Sequence, residues 1–464
     1  VFYSSGTLLP GGLTEGNAGE FWYVEAAYDG SASTGPIYVY KGTVANNDIT
    51  FTRDSIVPNH YEDANGGPVL IGPNISFSAA GNTAWIAWLG DLAGGSSGFG
   101  AQDSTIQACF VKSTDGGETW GSPIEVSANT DAYVADFLTS FWISVDSATG
   151  DTVPVGTGRA TLGFDFDLTV DINGNPHLAA IVGNGTSSAN PTPGYTIFSG
   201  VEKFFCDITS PDGGASWDVK FISPILTFRG TFPQNGTNTV TQDNQPQVSR
   251  TENGDHIFYS WVDSDTSSAT GVGFGVSDNL LPNLRIAGLR VSDGAQTCPQ
   301  LITAGDAIWE GAALFPALAP TVILESSGMV KLPIVMAELT AGDVLQPCTF
   351  YYFGNDATID ATSQFGTPDS LDLTWDGITS GDCDATDVSI EDRIEMTLFP
   401  NPTNGDAFAE FTLPFAADIN LNVVNMYGQT VATIANGEYA AGTHRITIDT
   451  RQMAGGVYFY NLAT

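Results

Sequence analysis

Ile75-Ser-Phe-Ser-Ala-Ala-Gly-Asn-Thr-Ala-Trp-Ile-Ala-Trp88 decides the fold: an alternating strand, a polar turn around Gly81, and a strongly apolar returning strand. The same unit recurs as Leu168-Thr-Val-Asp-Ile-Asn-Gly-Asn-Pro-His-Leu-Ala-Ala-Ile-Val182 and as Val248-Ser-Arg-Thr-Glu-Asn-Gly-Asp-His-Ile-Phe-Tyr-Ser-Trp-Val262. A further copy is Val322-Ile-Leu-Glu-Ser-Ser-Gly-Met-Val-Lys-Leu-Pro-Ile-Val-Met336, and a truncated one ends in Glu20-Phe-Trp-Tyr-Val-Glu-Ala-Ala-Tyr28. The turn glycines Gly81, Gly174, Gly254 and Gly328 are 93, 80 and 74 residues apart, which leaves room after each hairpin for two more strands and an insertion. Four antiparallel strands per unit, repeated about an axis, remove exposed sheet edges, so the spacing predicts an all-β chain with a β-propeller. The copies favour five blades within a range of five to seven; Phe137-Leu-Thr-Ser-Phe-Trp-Ile-Ser-Val145 is an insertion or an extra blade.

Composition agrees. The 464 residues are 42% hydrophobic and 11% aromatic, enough to offset ordering entropy, and 53 Gly with 24 Pro argue for many turns rather than long helices. A formal net charge of −38 repels phosphate backbones and anionic headgroups, which excludes nucleic acid and membrane surfaces as partners. Cations are the natural counterparts: the bland reading is solubility in a salty medium, the sharper one Ca2+ held by some carboxylates, and no other cofactor is indicated. The most apolar region, Leu314 to Leu324, is interrupted by Pro316 and Pro320, so no transmembrane segment is expected. The sequence starts at Val1 without a signal peptide and reads as a mature or trimmed product. Cys109, Cys206, Cys298, Cys348 and Cys383 show no CxxC and no nearby His, against zinc or redox chemistry; Cys298 with Cys348 is the expected disulfide.

Two units carry a sharper motif, Ser113-Thr-Asp115-Gly-Gly117-Glu-Thr119-Trp120 and Ser210-Pro-Asp212-Gly-Gly214-Ala-Ser216-Trp217. The first fits Ser-x-Asp-x-Gly-x-Thr-Trp and the second replaces Thr by Ser, so residues 1–356 resemble the sialidase-like BNR/Asp-box propellers. Asp accepts turn N–H groups, Gly permits positive φ, and the indole packs between sheets. In that family the motif lies away from the active face, which implies that Asp115 and Asp212 staple blades and do no chemistry. Cys109 and Cys206 each precede a box Asp by six residues, an equivalence that argues against their being bonded to each other.

Residues 357–393 are rich in Asp, Ser, Thr and Gly and read as an acidic linker that could lend a closing strand to the first blade. From residue 394 to 464 short alternating strands return at regular spacing, which suits a small immunoglobulin-like sandwich. Within it Phe399, Pro400, Asn401 and Pro402 with Gly405, then Asn425, Tyr427 and Gly428, then Gly442, then Gly456 and Tyr458 keep the order and spacing of a known signal. The segment resembles the type A C-terminal sorting domain of the type 9 (Por) secretion system of Bacteroidota. That resemblance implies export through the periplasm and outer membrane to the cell surface or medium. Its implied partners are the type 9 translocon, an outer-membrane shuttle protein and a sortase-like peptidase that joins the cargo to surface lipopolysaccharide or releases it. The family normally adds a last basic, β-branched strand after the Val-Tyr-Phe strand; here the sequence stops at Thr464, and the expectation is an unpaired sandwich edge.

An active site is harder to read. A sialidase needs three arginines converging on a carboxylate, an acid and a Tyr/Glu pair. The propeller region offers Arg53, Arg159, Arg229, Arg250, Arg285 and Arg290, and Phe51-Thr-Arg-Asp54 lacks the family's Arg-Ile-Pro context. His177 and His256 begin equivalent returning strands, which favours packing or turn roles; His60 and His444 give no chemical signal. Asp171-Ile-Asn-Gly-Asn175 looks like a calcium loop but lacks the EF-hand Glu, so a polar β-turn is expected, and Gly94 to Gly100 lacks the Lys of a phosphate loop. The expected function is therefore a surface-displayed or secreted cargo whose propeller binds, adheres to glycans or self-assembles. The alternative is an extracellular, sialidase-like glycoside hydrolase with an unassigned catalytic pair.

Overall fold

A computed structural model of the chain describes residues 8–16, 19–28, 33–45, 48–60, 70–92, 105–128, 143–145, 152–154, 159–186, 196–197, 203–225, 229–234, 238–264, 282–306, 309–313, 315–339, 348–353, 357–362, 364–366, 396–399, 403, 405–413, 417–425, 430–440, 442–453 and 458–463. The chain divides into two compact units, Val1–Cys383 and Asp384–Thr464, and the division falls inside the stretch expected as linker.

The first unit is a succession of antiparallel meanders. β1 (Leu8–Glu15), β2 (Glu20–Tyr28), β3 (Ser33–Ala45) and β4 (Asp48–Ile56) form one sheet in chain order, and β5 (Leu70–Phe77), β6 (Ala84–Gly90), β7 (Gln107–Ser113) and β8 (Ile124–Val126) the next. A hairpin of β9 (Ile143–Val145) and β10 (Thr152–Pro154) follows, placing the end of the Phe137–Val145 stretch outside the meanders. The third meander is β11 (Arg159–Val170), β12 (Pro176–Thr186), β14 (Lys203–Thr209) and β15 (Asp218–Ile225), with β13 (Thr196–Ile197) paired beside β12. After the hairpin β16 (Arg229–Gln234) and β17 (Asn238–Asp243) comes the fourth, β18 (Gln247–Arg250), β19 (His256–Ser264), β20 (Pro282–Arg290) and β21 (Gln300–Leu301).

The last copy of the repeat is split into two three-stranded sheets. β22 (Ala317–Leu318), β25 (Ile334–Leu339) and β26 (Cys348–Tyr352) form one; β23 (Ile323–Leu324), β24 (Met329–Lys331) and β27 (Thr358–Asp360) form the other. β27 lies past residue 356, and Ala357 and Ile359 are buried, so the propeller sheet continues into residues expected as linker.

Alternation explains the stacking. Along β6, Trp85, Ala87 and Leu89 join one core cluster with the third meander, whereas Ala84, Ile86 and Trp88 join another with the first. Two further clusters lie between the third and fourth meanders and between the fourth and the split sheets. A strand buried on both faces thus serves two interfaces, which is why the returning strands read as unbroken apolar runs. The first strands β1, β5, β11, β18 and β22 contact one another in that order. Sheets packed face to face, with their first strands side by side, are the arrangement of a β-propeller.

The second unit contains β28 (Met396–Phe399), β29 (Asp406–Leu413), β30 (Ala417–Asn425), β31 (Thr430–Tyr439), β32 (Gly442–Asp449) and β33 (Tyr458–Ala463). They form two three-stranded sheets, β28-β29-β32 and β31-β30-β33, which share one core containing Phe411, Leu413, Ile419, Leu421 and Ile448.

Candidate functional site

The first strands carry a repeated irregularity. Register shifts interrupt β1 between Pro10 and Leu13, β5 between Ile71 and Asn74, and β11 between Leu162 and Phe166. Immediately before β18 and β22, Gln245 and Phe315 adopt φ of 50° and 47°, a conformation that side chains disfavour. Bulges and strained backbone gather where a fold re-aims side chains, which makes this level the candidate site. Its polar groups are largely committed to one another. Asp167 accepts from Asn74 Nδ2 at 2.7 Å, from the Leu168 N–H at 2.8 Å and from the Val248 N–H at 3.0 Å, tying β5, β11 and β18 together. Burial pushes its pKa up to about 6, against the opposing pull of those donors. Gln247 continues the chain of contacts: Nε2 donates to Pro316 O at 2.6 Å and Oε1 accepts from the Leu318 N–H at 2.5 Å. Gln245 Nε2 reaches Asp165 Oδ2 at 3.3 Å. The Asn74 amide leaves no room at Gly12, where a Cβ would lie 1.8 Å from its Oδ1.

At the other end of the same strands are the repeated turns. Gly81, Gly174, Gly254 and Gly328 have φ of 71°, 80°, 78° and 90°, and each donates its N–H to the carbonyl three residues back. This is what the repeat required of glycine. Asp171 accepts from the N–H groups of Asn173 (2.8 Å) and Asn175 (2.7 Å), so this loop is a polar turn closed by its own backbone. In the two boxes Asp115 accepts from Thr119 N (2.9 Å) and Ser113 Oγ (2.8 Å), and Asp212 from Ser216 N (2.7 Å) and Ser210 Oγ (3.0 Å). Gly117 N and Gly214 N donate back to the box serines, at 2.9 and 2.6 Å. The donors hold both carboxyls at about 2: Thr119 is the main cause for Asp115, and Ser216 for Asp212.

Each box also touches the preceding meander. Gly117 packs against Trp22 and Gly214 against Trp85; Lys41 and Lys112 lie over those two rings at 5.3 and 5.2 Å. Lys41 pairs with Glu118, and Lys112 Nζ donates to Gly213 O at 2.8 Å. Trp217 stacks on Phe110, with centroids 4.4 Å apart, and Trp120 packs beside the cluster that contains Trp22.

A third turn of this type, Val291–Cys298, was not recognised in the sequence. Asp293, Gly294 (φ 72°) and Thr297 stand where Asp115, Gly116 (φ 74°) and Thr119 stand, and Asp293 Oδ1 accepts from Ala295 N at 3.1 Å. Val291 replaces the box Ser and Cys298 the box Trp, so a search for the whole motif fails. The surviving Asp-Gly pair just after an apolar strand was the available signal.

His177 is more than a turn residue. By register it occupies the place of Trp85, since Trp85 pairs with Lys112 before Ser113 and His177 pairs with Thr209 before Ser210. Its buried ring lies between two carboxylates, with Nδ1 donating to Asp207 Oδ2 at 2.6 Å and Nε2 3.6 Å from Asp171 Oδ2. Tyr259 Oη, from β19, donates to the same Asp207 oxygen at 2.8 Å. Burial alone would lower the His177 pKa, but the Asp207 charge and the contacts to Asp171 and Asp207 raise it to about 9. His256 contacts Asp255 at 2.8 Å and the Phe365 ring at 5.3 Å.

The arginines with described side chains do not converge. Arg53 on β4 lies over Tyr38, Arg250 donates to Phe77 O at 3.2 Å, Arg285 is on β20, and Arg290 pairs with Asp293 at 2.6 Å. The side chains of Arg159 and Arg229 lie outside the described ones, as does the Gly94–Gly100 stretch. Among the described residues no group of three or more His, Cys, Asp or Glu could hold a metal ion, and no helix is long and apolar enough to cross a membrane. Cys109 and Cys206 are buried and outside any disulfide, and Cys298 is disulfide-bonded.

In the second unit Arg445 lies over the rings of Phe399 (4.7 Å) and Phe408 (4.2 Å). Gly405 O accepts from Thr450 N at 3.1 Å, Asn425 pairs with Tyr458 across β30 and β33, and Gly442 has φ of 124° opposite Leu413. Pro400, Asn401, Pro402, Tyr427, Gly428 and Gly456 lie outside the described residues.

Comparison with known proteins adds three findings. A search of the curated proteins finds no match. Among solved structures the chain is similar to Trypanosoma rangeli sialidase, with 9% identity and a TM-score of 0.39; the match covers 96% of this chain and 56% of that one, so the chain spans little more than half of that enzyme. It is also similar to Penicillium chrysogenum alpha-L-arabinanase, with 10% identity, a TM-score of 0.35, and 78% and 96% of the two chains covered. For the Fusarium graminearum alpha-L-arabinofuranosidase the values are 9%, 0.35, 97% and 95%. Residues 397–464 match the secretion system C-terminal sorting domain family. The two-sheet unit at the end of the chain is therefore a C-terminal sorting domain, and the chain that carries it is cargo exported by the type 9 secretion system to the cell surface or extracellular space.

Proposed function

We propose that the propeller is the binding module of this exported cargo, acting in adhesion, glycan contact or surface assembly. The observation that carries this reading is the state of Asp167. Asp167, a carboxylate on the first strand β11, is a strut, accepting from Asn74, Leu168 and Val248 on three adjacent strands. A group so committed cannot also protonate a leaving group or activate water without releasing its neighbours. The lack of convergence among the described arginines points the same way. In this reading the boxes around Asp115 and Asp212 are struts between meanders, the repeat forms five blades, and the sorting domain is an immunoglobulin-like sandwich. The motif residues of that domain are what the translocon, the shuttle and the sortase-like peptidase recognise, with lipopolysaccharide as the attachment point.

The test is a panel of sialosides and extracellular polysaccharides offered to the purified exported protein, with binding and product release both measured. Saturable binding without turnover is expected. Turnover lost on a single Asp165→Asn or Asp167→Asn change, with the melting curve unaltered, would establish the hydrolase instead.

A further inference from the structure

We infer that the first meander of one copy stacks on the last sheet of a second copy, head to tail, so that identical chains assemble through their propellers. Surface assembly in the proposed function then has a physical contact, and the inference rests on that reading.

The first meander places only one of its faces in a core cluster of the chain. Trp22, Val24 and Ala26 of β2, with Ile37 and Val39 of β3, enter the cluster shared with the second meander. Alternation turns Phe21, Tyr23, Tyr38 and Tyr40 the other way. Register builds that second face across the four strands. Leu13, Tyr23, Tyr40 and Arg53 stand in one row, Glu15, Phe21, Gly42 and Phe51 in the next, and Val44 pairs with Ile49 beyond them. Leu13 is 67% exposed, and Phe21, Val44 and Ile49 are exposed with it. The surface is set before anything docks. Phe51 lies over Gly42, where a Cβ would meet its ring at 2.7 Å, the Tyr23 and Tyr40 ring centroids are 5.9 Å apart, and the Arg53 guanidinium covers Tyr38 at 4.7 Å. Rings already held lose little freedom on binding.

The other end of the series has a matching face. On β25, Ile334 and Met336 enter the cluster shared with the fourth meander, so Val335 and Ala337 point away from it. β26 sets Tyr352 opposite Val335 and Phe350 opposite Ala337, and these two rings are 53% and 68% exposed. The first strands contact one another in order from β1 to β22, so the two faces are the ends of one stack. Among the described residues no core cluster joins them. Leu13 and Phe350 both stay exposed, so neither face covers the other within one chain.

A second copy fits both faces. Aromatic rings and arginine with few other charges make up the centre of protein–protein interfaces. The first face carries one exposed acid, Glu15, against one exposed cation, Arg53, and Val335, Ala337, Phe350 and Tyr352 are uncharged, within a chain of net charge −38. Contact between the two faces therefore buries no net charge, and beyond about 8 Å the repulsion between acidic copies is screened at physiological salt. Sheet-on-sheet contacts of this kind already hold the meanders together within the chain, and the second copy adds one more to the series. First face on first face would leave the last sheet exposed. Head-to-tail contact covers both and presents a fresh face at each end, which makes the assembly open-ended.

The full chain, free of glycan, is followed by sedimentation velocity and light scattering over a concentration series at low and high sodium chloride. Its mass should grow past that of a dimer, and more readily at high salt. Leu13→Glu and Phe350→Glu, both at exposed side chains, should each keep the native melting curve and weaken association by about tenfold or more. The first variant keeps its last sheet and the second keeps its first face. Each alone should therefore stay monomeric, while an equal mixture forms dimers and nothing larger. Thr50→Glu, on the opposite face of β4, should associate like the native chain. A native chain that is monomeric throughout, a Phe350→Glu chain that still dimerises, a mixture that fails to pair, or association that weakens with salt would each overturn the inference. So would a monomeric native chain whose melting temperature falls in Leu13→Glu, the sign that the faces close on each other inside one chain. Saturable glycan binding by a chain that never associates overturns the contact and leaves the binding reading standing, so the two failures are distinguishable.

Discussion

Replacing His177 by Gln should remove an alkaline dependence of propeller stability. The imidazolium is buried between Asp171 and Asp207, with Tyr259 donating to the same Asp207 oxygen and Arg250 acting on Asp171. The Tyr259 hydroxyl is itself pushed well above its ordinary pKa, first by burial and then by the Asp207 charge, so it stays neutral through the window. Because the folded-state pKa of His177 is raised from 6.5 to about 9, its contribution is fully present below pH 6.5 and is lost as pH rises through 9. At about 1.4 kcal/mol per pH unit the whole effect is on the order of 3 kcal/mol.

The assay is urea unfolding at pH 6.0 to 9.5, followed by tryptophan fluorescence. All nine tryptophans precede residue 397, so the signal reports the propeller and not the sorting domain. His177→Gln should be less stable than the native chain at pH 6 by about 3–5 kcal/mol, the cost of leaving a buried carboxylate without its partner. The difference should shrink by about 3 kcal/mol toward pH 9.5, where the native histidine has lost its proton too. Comparing the two chains cancels groups common to both. A gap that stays constant across this range, or an NMR titration of the His177 ring near 6.5, would refute the argument.

Trp85→Ala should cost about 3–5 kcal/mol, because the ring is fully buried and its Nε1 donates to Gly174 O at 2.9 Å; Trp85→Phe should recover most of that in the same urea series. Gly117→Ala should destabilise by about 1–3 kcal/mol, since its φ is 89° and a Cβ would meet Trp22 at 2.7 Å, whereas Gly121→Ala, whose nearest contact is 3.4 Å, should be close to neutral. Asp115→Ala and Asp212→Ala should each lower the melting temperature at neutral pH. In the native chain their contribution should fade as pH drops from 3.8 toward 2, because both carboxyls are depressed on folding; equal melts for variant and native chain would argue against a strut. Deleting residues from Leu398 onward should leave the chain in the periplasm, and fractionation that finds the truncated chain at the surface would contradict the export reading.

Much of the architecture lay open in the chain because its causes are local. Positive φ at the four turn glycines, alternation along β5, and the runs in β6 and β12 that are buried on both faces follow from neighbours within about a dozen residues. The sorting domain was legible for the same reason, as a fixed order of turn residues between short strands.

What only the tertiary structure decided concerns residues whose partners are remote. Asp167 meets Asn74 and Val248 from 93 and 81 positions away, and His177 is charged because Asp207 and Asp171 close on it from both sides. The side chains that meet Asp207, His177 and Tyr259, likewise lie 30 and 52 positions from it in the chain. Electrostatics in a buried site depends on distance in space and on exclusion of water, and only the assembled sheets set both.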